Sequence, residues 1–306
     1  MAKTELFVRK QNAGVFTAVN EDSTTGNIWW VDSGATSGGA DSAGYGKSPA
    51  SPFLTLDYAV GNCTASNGDV IYVMPGHEED LVGATSLTLD VAGIKVVGLG
   101  SGLSIPKFTL KTAAAATVNI TAANCHVENI YLYANYTGGV TAGITVGALA
   151  DGLVLKNIIM EESANTTEFL IGISIADACN HVTIDGLQFF GVDGGSNTQC
   201  IIFAGVSNFS VVRNCLIYGD FSGAAIDALT KASTYMTIAN NLVWNTDTTA
   251  ALVISVKSDT TGMMAYNYCF APKNNICPAG AAMAYVQNFT TNVANKNGFY
   301  LPAVDS

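Results

Sequence analysis

An asparagine or glycine returns along this chain every 26 to 31 residues, at Gly98, Asn129, Asn157, Gly186, Asn214, Asn241 and Asn267, each time in the same frame of alternating apolar and polar residues. Two residues before this marker stand Val127, Leu155, Ile184, Val212, Ala239 and Ala265. One residue after it stand Leu99, Ile130, Ile158, Leu187, Cys215, Leu242 and Tyr268, and three after it Leu132, Met160, Phe189, Ile217, Trp244 and Phe270. A fixed period of this length means stacked units, none of which can bury its apolar face until a neighbour covers it. Alternation with period 2 on both sides of the marker makes the units strands rather than helix pairs. A third strand is readable thirteen residues upstream of the marker, at Ile144, Ile173, Ile201, Ala228 and Ile254. Three short strands per repeat predict an all-β, single-stranded parallel solenoid, a β-helix of about 7 to 9 coils. Glycine and asparagine suit the bend because they adopt the left-handed backbone at least cost. Stacked inside, each asparagine amide is expected to bond the next coil, which makes the seven markers a structural ladder.

From about Asp69 to Pro272 the pattern resembles the right-handed parallel β-helix, or pectin-lyase-like, superfamily, whose coils often carry an asparagine ladder at this bend. The resemblance implies the fold and says little about chemistry, because the architecture carries lyases, glycosidases, esterases, autotransporter passengers and viral spikes alike. Residues 29–68 hold a strand, a Gly/Ser-rich loop from Asp32 to Pro49, and the segment Ser51 to Val60. That segment reads as a capping helix with Ser51 as N-cap and Pro52 at its first position. A solenoid needs such a cap to cover its terminal strand edges. The order of strand, loop, helix and then Gly68-Asp69-Val70-Ile71-Tyr72-Val73-Met74-Pro75-Gly76 resembles the start of β-helix domains in bacterial surface proteins and bacteriophage virion proteins. Residues 1–28 read as an attachment arm, with Phe7, Val15 and Phe16 as its partner-binding residues, or as a stretch packing on its own solenoid. Residues 69–272 are the solenoid, and 273–306, where the period fades, a C-terminal cap or tail.

Charged residues make up 12% of the chain, against about 25% in an average soluble domain, and hydrophobic ones 49%. Flanks so poor in charge are expected to meet another copy of the chain. By resemblance to viral β-helices that assembly is a homotrimer. A net charge of −11 with only two arginines, Arg9 and Arg213, excludes nucleic acid as a partner. No apolar run has the roughly 7 to 15 residues of a secretory leader's core or the roughly 20 of a membrane span, so synthesis in a host cytoplasm is expected, without a membrane partner. The seven cysteines show no metal-ligand spacing and read as free, mostly buried thiols, and no metal or other cofactor is expected.

Enzymes of this architecture use acidic clusters on adjacent coils, with a basic residue or a His-Gly pair. The histidines His77, His126 and His181 are scattered and none precedes glycine. Were the chain an enzyme, Asp177, Asp185 and Asp227 with Arg213 would be its catalytic set, since two carboxylates about 5 to 9.5 Å apart can cleave a glycoside. Outward Asp and Lys residues are equally what a solvated sheet face shows. Asp32, Asp41 and the loop Asp193–Asn197 could ligate calcium through oxygen, although such loops are far more often plain turns. Trp29, Trp30, Tyr131, Tyr133, Tyr136, Tyr218 and Tyr235 could stack on sugars. The expected function is a non-enzymatic structural protein on the exterior of a bacteriophage virion, a capsid decoration or cement protein bound to the major capsid protein or another virion protein. The alternatives are a tailspike-like polysaccharide depolymerase or lyase and a glycan-binding module.

Overall fold

A computed structural model of the 306-residue chain describes residues 7–9, 16–18, 24, 26–34, 38–249, 252–272, 282–291 and 299–301. From Ile28 onward the chain winds into a right-handed parallel β-solenoid of about seven turns with three walls. The first wall has ten strands, running from Ile28–Val31 and Val70–Val73 through His126–Glu128, Val154–Lys156, Thr183–Asp185 and Val211–Arg213 to Gly262–Ala265 and Met283–Val286. The second also has ten, from Glu78–Leu81 through Ile159–Glu162, Gln188–Phe190, Leu216–Gly219, Leu242–Asn245 and Tyr268–Phe270 to Asn288–Thr291, closed by the antiparallel Phe299–Leu301. The third has seven, from Leu87–Leu89 to Ile254–Val256. Within each strand alternate residues point in, and the interior is one continuous column of Val, Ile, Leu and Phe, with Phe108, Phe169, Phe189, Phe203 and Phe221 fully buried.

Left-handed corners flank the first wall's strands on both sides from His126–Glu128 to Met236–Ala239. The corner after this wall is occupied by Asn129, Asn157, Gly186, Asn214, Asn240, Tyr266 and Gln287, all with φ between 45° and 74°. The sequence markers therefore fall on it only as far as Asn214. Strand pairing places Val212 beside Ile238, so the left-handed residue is Asn240 and not Asn241. In the same shift Val243 and Cys269 turn inward while Leu242, Trp244 and Tyr268 are exposed, the reverse of the sequence expectation. On the third wall Ile226, not Ala228, pairs with Ile201 and Ile254. Gly98 is not left-handed either. A side chain there would sit 1.9 Å from the Asn129 carbonyl oxygen, so glycine is required for close approach.

Asn129, Asn157 and Asn214 are partly or fully exposed rather than stacked inside. The internal ladder is Asn241, Asn267 and Asn288, one residue past the corner and fully buried. Asn267 Oδ1 accepts from the backbone N–H of Asn241 (3.1 Å) and from its amide (2.9 Å). Its own amide donates to Ile238 O and Asn288 Oδ1, each at 2.8 Å. In earlier coils the same place holds Ile130, Ile158, Leu187 and Cys215. The corner before the first wall changes character likewise, from buried Cys179 to buried Ser207, Ser233 and Thr260, with Ser207 N donating to Ser233 Oγ (2.9 Å) and Ser233 N to Thr260 Oγ1 (3.3 Å).

The N-terminal end is covered by a helix, Leu56–Gly61, that buries Leu56, Ala59 and Val60 against the first strands. Its N-cap is Thr55, not Ser51. Asp41 receives Leu54 N (2.7 Å) and the Thr55 hydroxyl (2.8 Å), which holds the segment before the helix in extended form. Asp57 accepts from Thr88 N at 2.9 Å and so satisfies an edge donor of the third wall's first strand. At the other end two further parallel strands, Met283–Val286 and Asn288–Thr291, continue the walls past Pro272. Replacing Asn267 with alanine leaves the buried Asn241 N–H without its acceptor and removes the side-chain bonds to the Ile238 carbonyl and Asn288 Oδ1, and is expected to cost about 3 kcal/mol. Asn157→Gly, at an exposed left-handed position, should stay within about 1 kcal/mol of the parent. Urea unfolding of the two variants checks the contrast.

Candidate functional site

The carboxylates and arginine that would serve an enzyme are divided among different surfaces. Asp185 ends the strand Thr183–Asp185 on the first wall, and Arg213 is its neighbour one coil on. Arg213 binds Asp185 Oδ2 through Nε (2.9 Å) and Nη2 (2.8 Å), while Asn214 donates to Oδ1 (2.7 Å). This pair extends a column of alternating charge, Glu128, Lys156, Asp185 and Arg213, set side by side by the strand register. Lys156 Nζ lies 2.8 Å from Glu128. Asp177 sits in the turn after the third wall, where the hydrogen bonds of Lys231 and of Val206 N hold its carboxyl below the usual carboxylate range. Asp227 belongs to the third wall and accepts from Leu229 N at 2.9 Å. The fold thus unites Asp185 with Arg213 and Asp177 with Lys231, and puts Asp185 and Asp227 on different walls. Chemically, these carboxylates join coil to coil.

Of the expected arm contacts, Phe7 and Phe16 begin the two strands of an antiparallel hairpin, Phe7–Arg9 with Phe16–Ala18, and Val15 lies outside the described residues. His77 is fully buried at the capped end, accepting from Ser33 N at Nδ1 (3.0 Å), which leaves Nε2–H to donate to Glu79 (3.1 Å). Six cysteines are free thiols, and Cys277 lies outside the described residues. Burial pushes Cys63 and Cys215 up to about 12, so these thiols are neutral and unreactive. Among the described residues no group of three or more His, Cys, Asp or Glu is placed to hold a metal ion.

Two aromatic surfaces were hidden from the sequence. On the outer face of the second wall the register builds a column of Phe190, Tyr218, Trp244 and Phe270 beside one of Leu216, Leu242 and Tyr268. Trp244 is 45% exposed and its ring lies 4.3 Å from that of Phe270. At the corner before the first wall, His181, Phe209 and Tyr235 stack face to face, with centroids 5.0 and 4.8 Å apart and planes within 5° and 16° of parallel. All three are left-handed, with φ of 56° to 58°. For rings as large as Phe and Tyr that backbone costs about 1–2 kcal/mol each, which ring stacking of about 0.5–1.5 kcal/mol partly offsets. Of the aromatics proposed from sequence, Tyr218 and Tyr235 belong to these surfaces. Tyr131 instead donates to Glu161 (2.8 Å) and Trp29 packs on the core.

A buried acidic corner lies between the second and third walls. Glu162 accepts from Phe169 N (3.0 Å), Val192 N (3.0 Å) and the Asn197 amide. Burial, reinforced by the neighbouring Glu168, outweighs these three donors and pushes its carboxyl up to about 7 from an ordinary 4.5. The folded chain then keeps a proton that the unfolded chain has released. This contribution to stability, up to about 3 kcal/mol, is complete below pH 4.5 and is lost as the pH rises through 7. Thermal unfolding in buffer without divalent cations should show that fall, and Glu162→Gln should flatten it while lowering overall stability, because its amide faces backbone donors.

No protein-family model, curated protein or solved structure matches this chain, so a functional reading has to come from its own surfaces.

Proposed function

We propose that this chain is a non-enzymatic structural protein on the exterior of a bacteriophage particle, a capsid decoration or cement subunit that works as a homotrimer and holds to the major capsid protein or another virion protein. The observation that carries the reading is the outer face of the second wall. Phe190, Leu216, Tyr218, Leu242, Trp244 and Tyr268 are each at least 36% exposed and lie on adjacent coils in register. Apolar surface of that continuity is what a subunit interface leaves bare in the isolated chain. A flat face on a rigid solenoid can close into a symmetric assembly through side chains, without pairing strand edges. The carboxylates are taken up in coil-to-coil contacts, which favours a structural over a catalytic role. The placement on a phage rests on the order of the N-terminal elements, which resembles that of virion β-helix proteins, and it assigns attachment to the hairpin that carries Phe7 and Phe16.

The stacked column His181, Phe209 and Tyr235 favours a second reading, glycan binding, since exposed ring faces stack on sugars. One set of measurements separates the readings. Light scattering coupled to gel filtration should give a trimer, and Leu216→Lys with Trp244→Lys should give a folded monomer. The chain should co-sediment saturably with capsid shells stripped of it, and lose this when residues 1–28 are removed. A monomeric parent that leaves shells unbound overturns the reading. Retention on host polysaccharide that disappears with Phe209→Ala would then favour the glycan module, and cleavage of the polysaccharide the depolymerase.

A further inference from the structure

The outer face of the second wall is not uniform along the solenoid. Strand register sets two outward columns side by side from the capped end onward. In the coils nearer the capping helix these columns carry charge, at Glu78, Asp80, Lys107 and Glu161, with Lys111 just after the strand Lys107–Leu110. Beyond Glu161 every outward position from Gln188 to Phe270 is uncharged, and all but Gln188 are aromatic or leucine. The charges are matched within the chain. Lys111 Nζ lies 2.6 Å from Asp80, the Tyr131 hydroxyl donates to Glu161 at 2.8 Å, and the Lys107 ammonium stands over the Tyr133 ring, 4.2 Å from its centre. The wall thus has a polar half and an apolar half, and a second copy laid on it meets both.

A second copy can lie on this wall in two directions. Antiparallel and fully overlapped, it brings Leu242 and Trp244 over Lys107, and Phe270 over Asp80, so the charged groups lose water and gain no hydrogen bond in return. Sliding the copies until only the apolar halves meet avoids that cost but gives up the contact area of the polar halves, and specific interfaces need area. Parallel, apolar rows meet apolar rows. The polar halves, with Glu78, Asp80 and Glu161 against Lys107 and Lys111, then meet groups of both signs.

We infer that second walls pack in parallel, coil beside like coil, about an axis that runs along the solenoid. The inference rests on the reading of this wall as the subunit interface. Its consequence is a polar assembly. Every copy begins its solenoid at Ile28 at the same end. The hairpins that carry Phe7 and Phe16 therefore all join the assembly at that end and act on one partner surface together, which raises avidity without any new contact.

Distances between copies at three heights test it. Thr85, Thr166 and Thr248 are exposed, lie in turns that follow the second wall, and stand three coils apart, roughly 14 Å along the axis from one to the next. Thr85→Cys, Thr166→Cys and Thr248→Cys, each made singly in the full chain and spin-labelled, are measured by double electron–electron resonance, with the parent chain labelled in the same way as the background from native thiols. Circular dichroism establishes that each variant is folded. Ala84, Asn165 or Thr249, exposed in the same turns, replaces any position that fails. Parallel packing gives the same distance between copies at all three heights. In antiparallel packing the offset along the axis changes by roughly 28 Å between successive positions, because the labels move in opposite senses on the two copies. Distances that vary in this way, in a chain that light scattering shows to be oligomeric, overturn the inference and leave the subunit interface standing. A monomeric chain with no coupling between labels overturns both.

Discussion

Everything in this structure depends on coil-to-coil register. Each strand is hydrogen-bonded on both edges only if the next coil arrives in phase, and a slip of one residue would turn the interior column outward. The chain meets that demand in two ways. Through the first coils the corners are filled with apolar residues, Ile130, Ile158 and Leu187 on one side and Cys179 on the other, which favour burial without specifying direction. Later coils put polar groups in those corners, Asn241, Asn267 and Asn288, and Ser207, Ser233 and Thr260. Each of these rungs bonds a defined atom of a neighbouring coil, so direction is specified at the end farther from the capping helix.

The period, the three-strand unit and the parallel architecture were legible in the sequence because burial on one face of a strand leaves a period-2 trace that stacking repeats. The inward and outward errors on the second wall were of a single kind. Asn240 and Asn241 are adjacent, and only the second is buried; counting from it moved the frame by one residue and exchanged Val243 for Trp244 as an inward side chain. Tyr266 and Gln287 occupy left-handed corners without being glycine or asparagine, so no propensity marks them. The corner before the first wall is glycine or asparagine in the earlier coils, at Gly68, Gly93, Asn124 and Gly152, but passes to His181, Phe209 and Tyr235, which no propensity marks. Asn288 escaped notice because it follows Asn267 by 21 residues, shorter than the period read upstream.

The surfaces were less legible than the fold. Sequence reasoning grouped Asp185 and Arg213 with Asp177 and Asp227 as a possible catalytic set, and only the register shows Asp185 and Arg213 in one column with Glu128 and Lys156. It noticed the loop Asp193–Asn197 for its glycines and acids, but the side chains that matter there are Glu168 and Glu162 from the coil before, 28 to 35 residues away. A site built across coils has no local signature. It becomes readable only once the period has been converted into a register, and here the frame error lay downstream of that corner.

The charged column on the first wall also constrains how such a chain can grow or shrink. Glu128, Lys156, Asp185 and Arg213 alternate in sign from coil to coil. Loss of the single coil that carries Lys156 would bring Glu128 against Asp185, and loss of the coil that carries Asp185 would bring Lys156 against Arg213. Like charges on paired strand positions destabilise. Removing both coils instead leaves Glu128 facing Arg213 and the alternation unbroken. Although the fold repeats every coil, the electrostatic unit along this stretch is two coils, so duplication or deletion in its history would have been tolerated most readily in pairs.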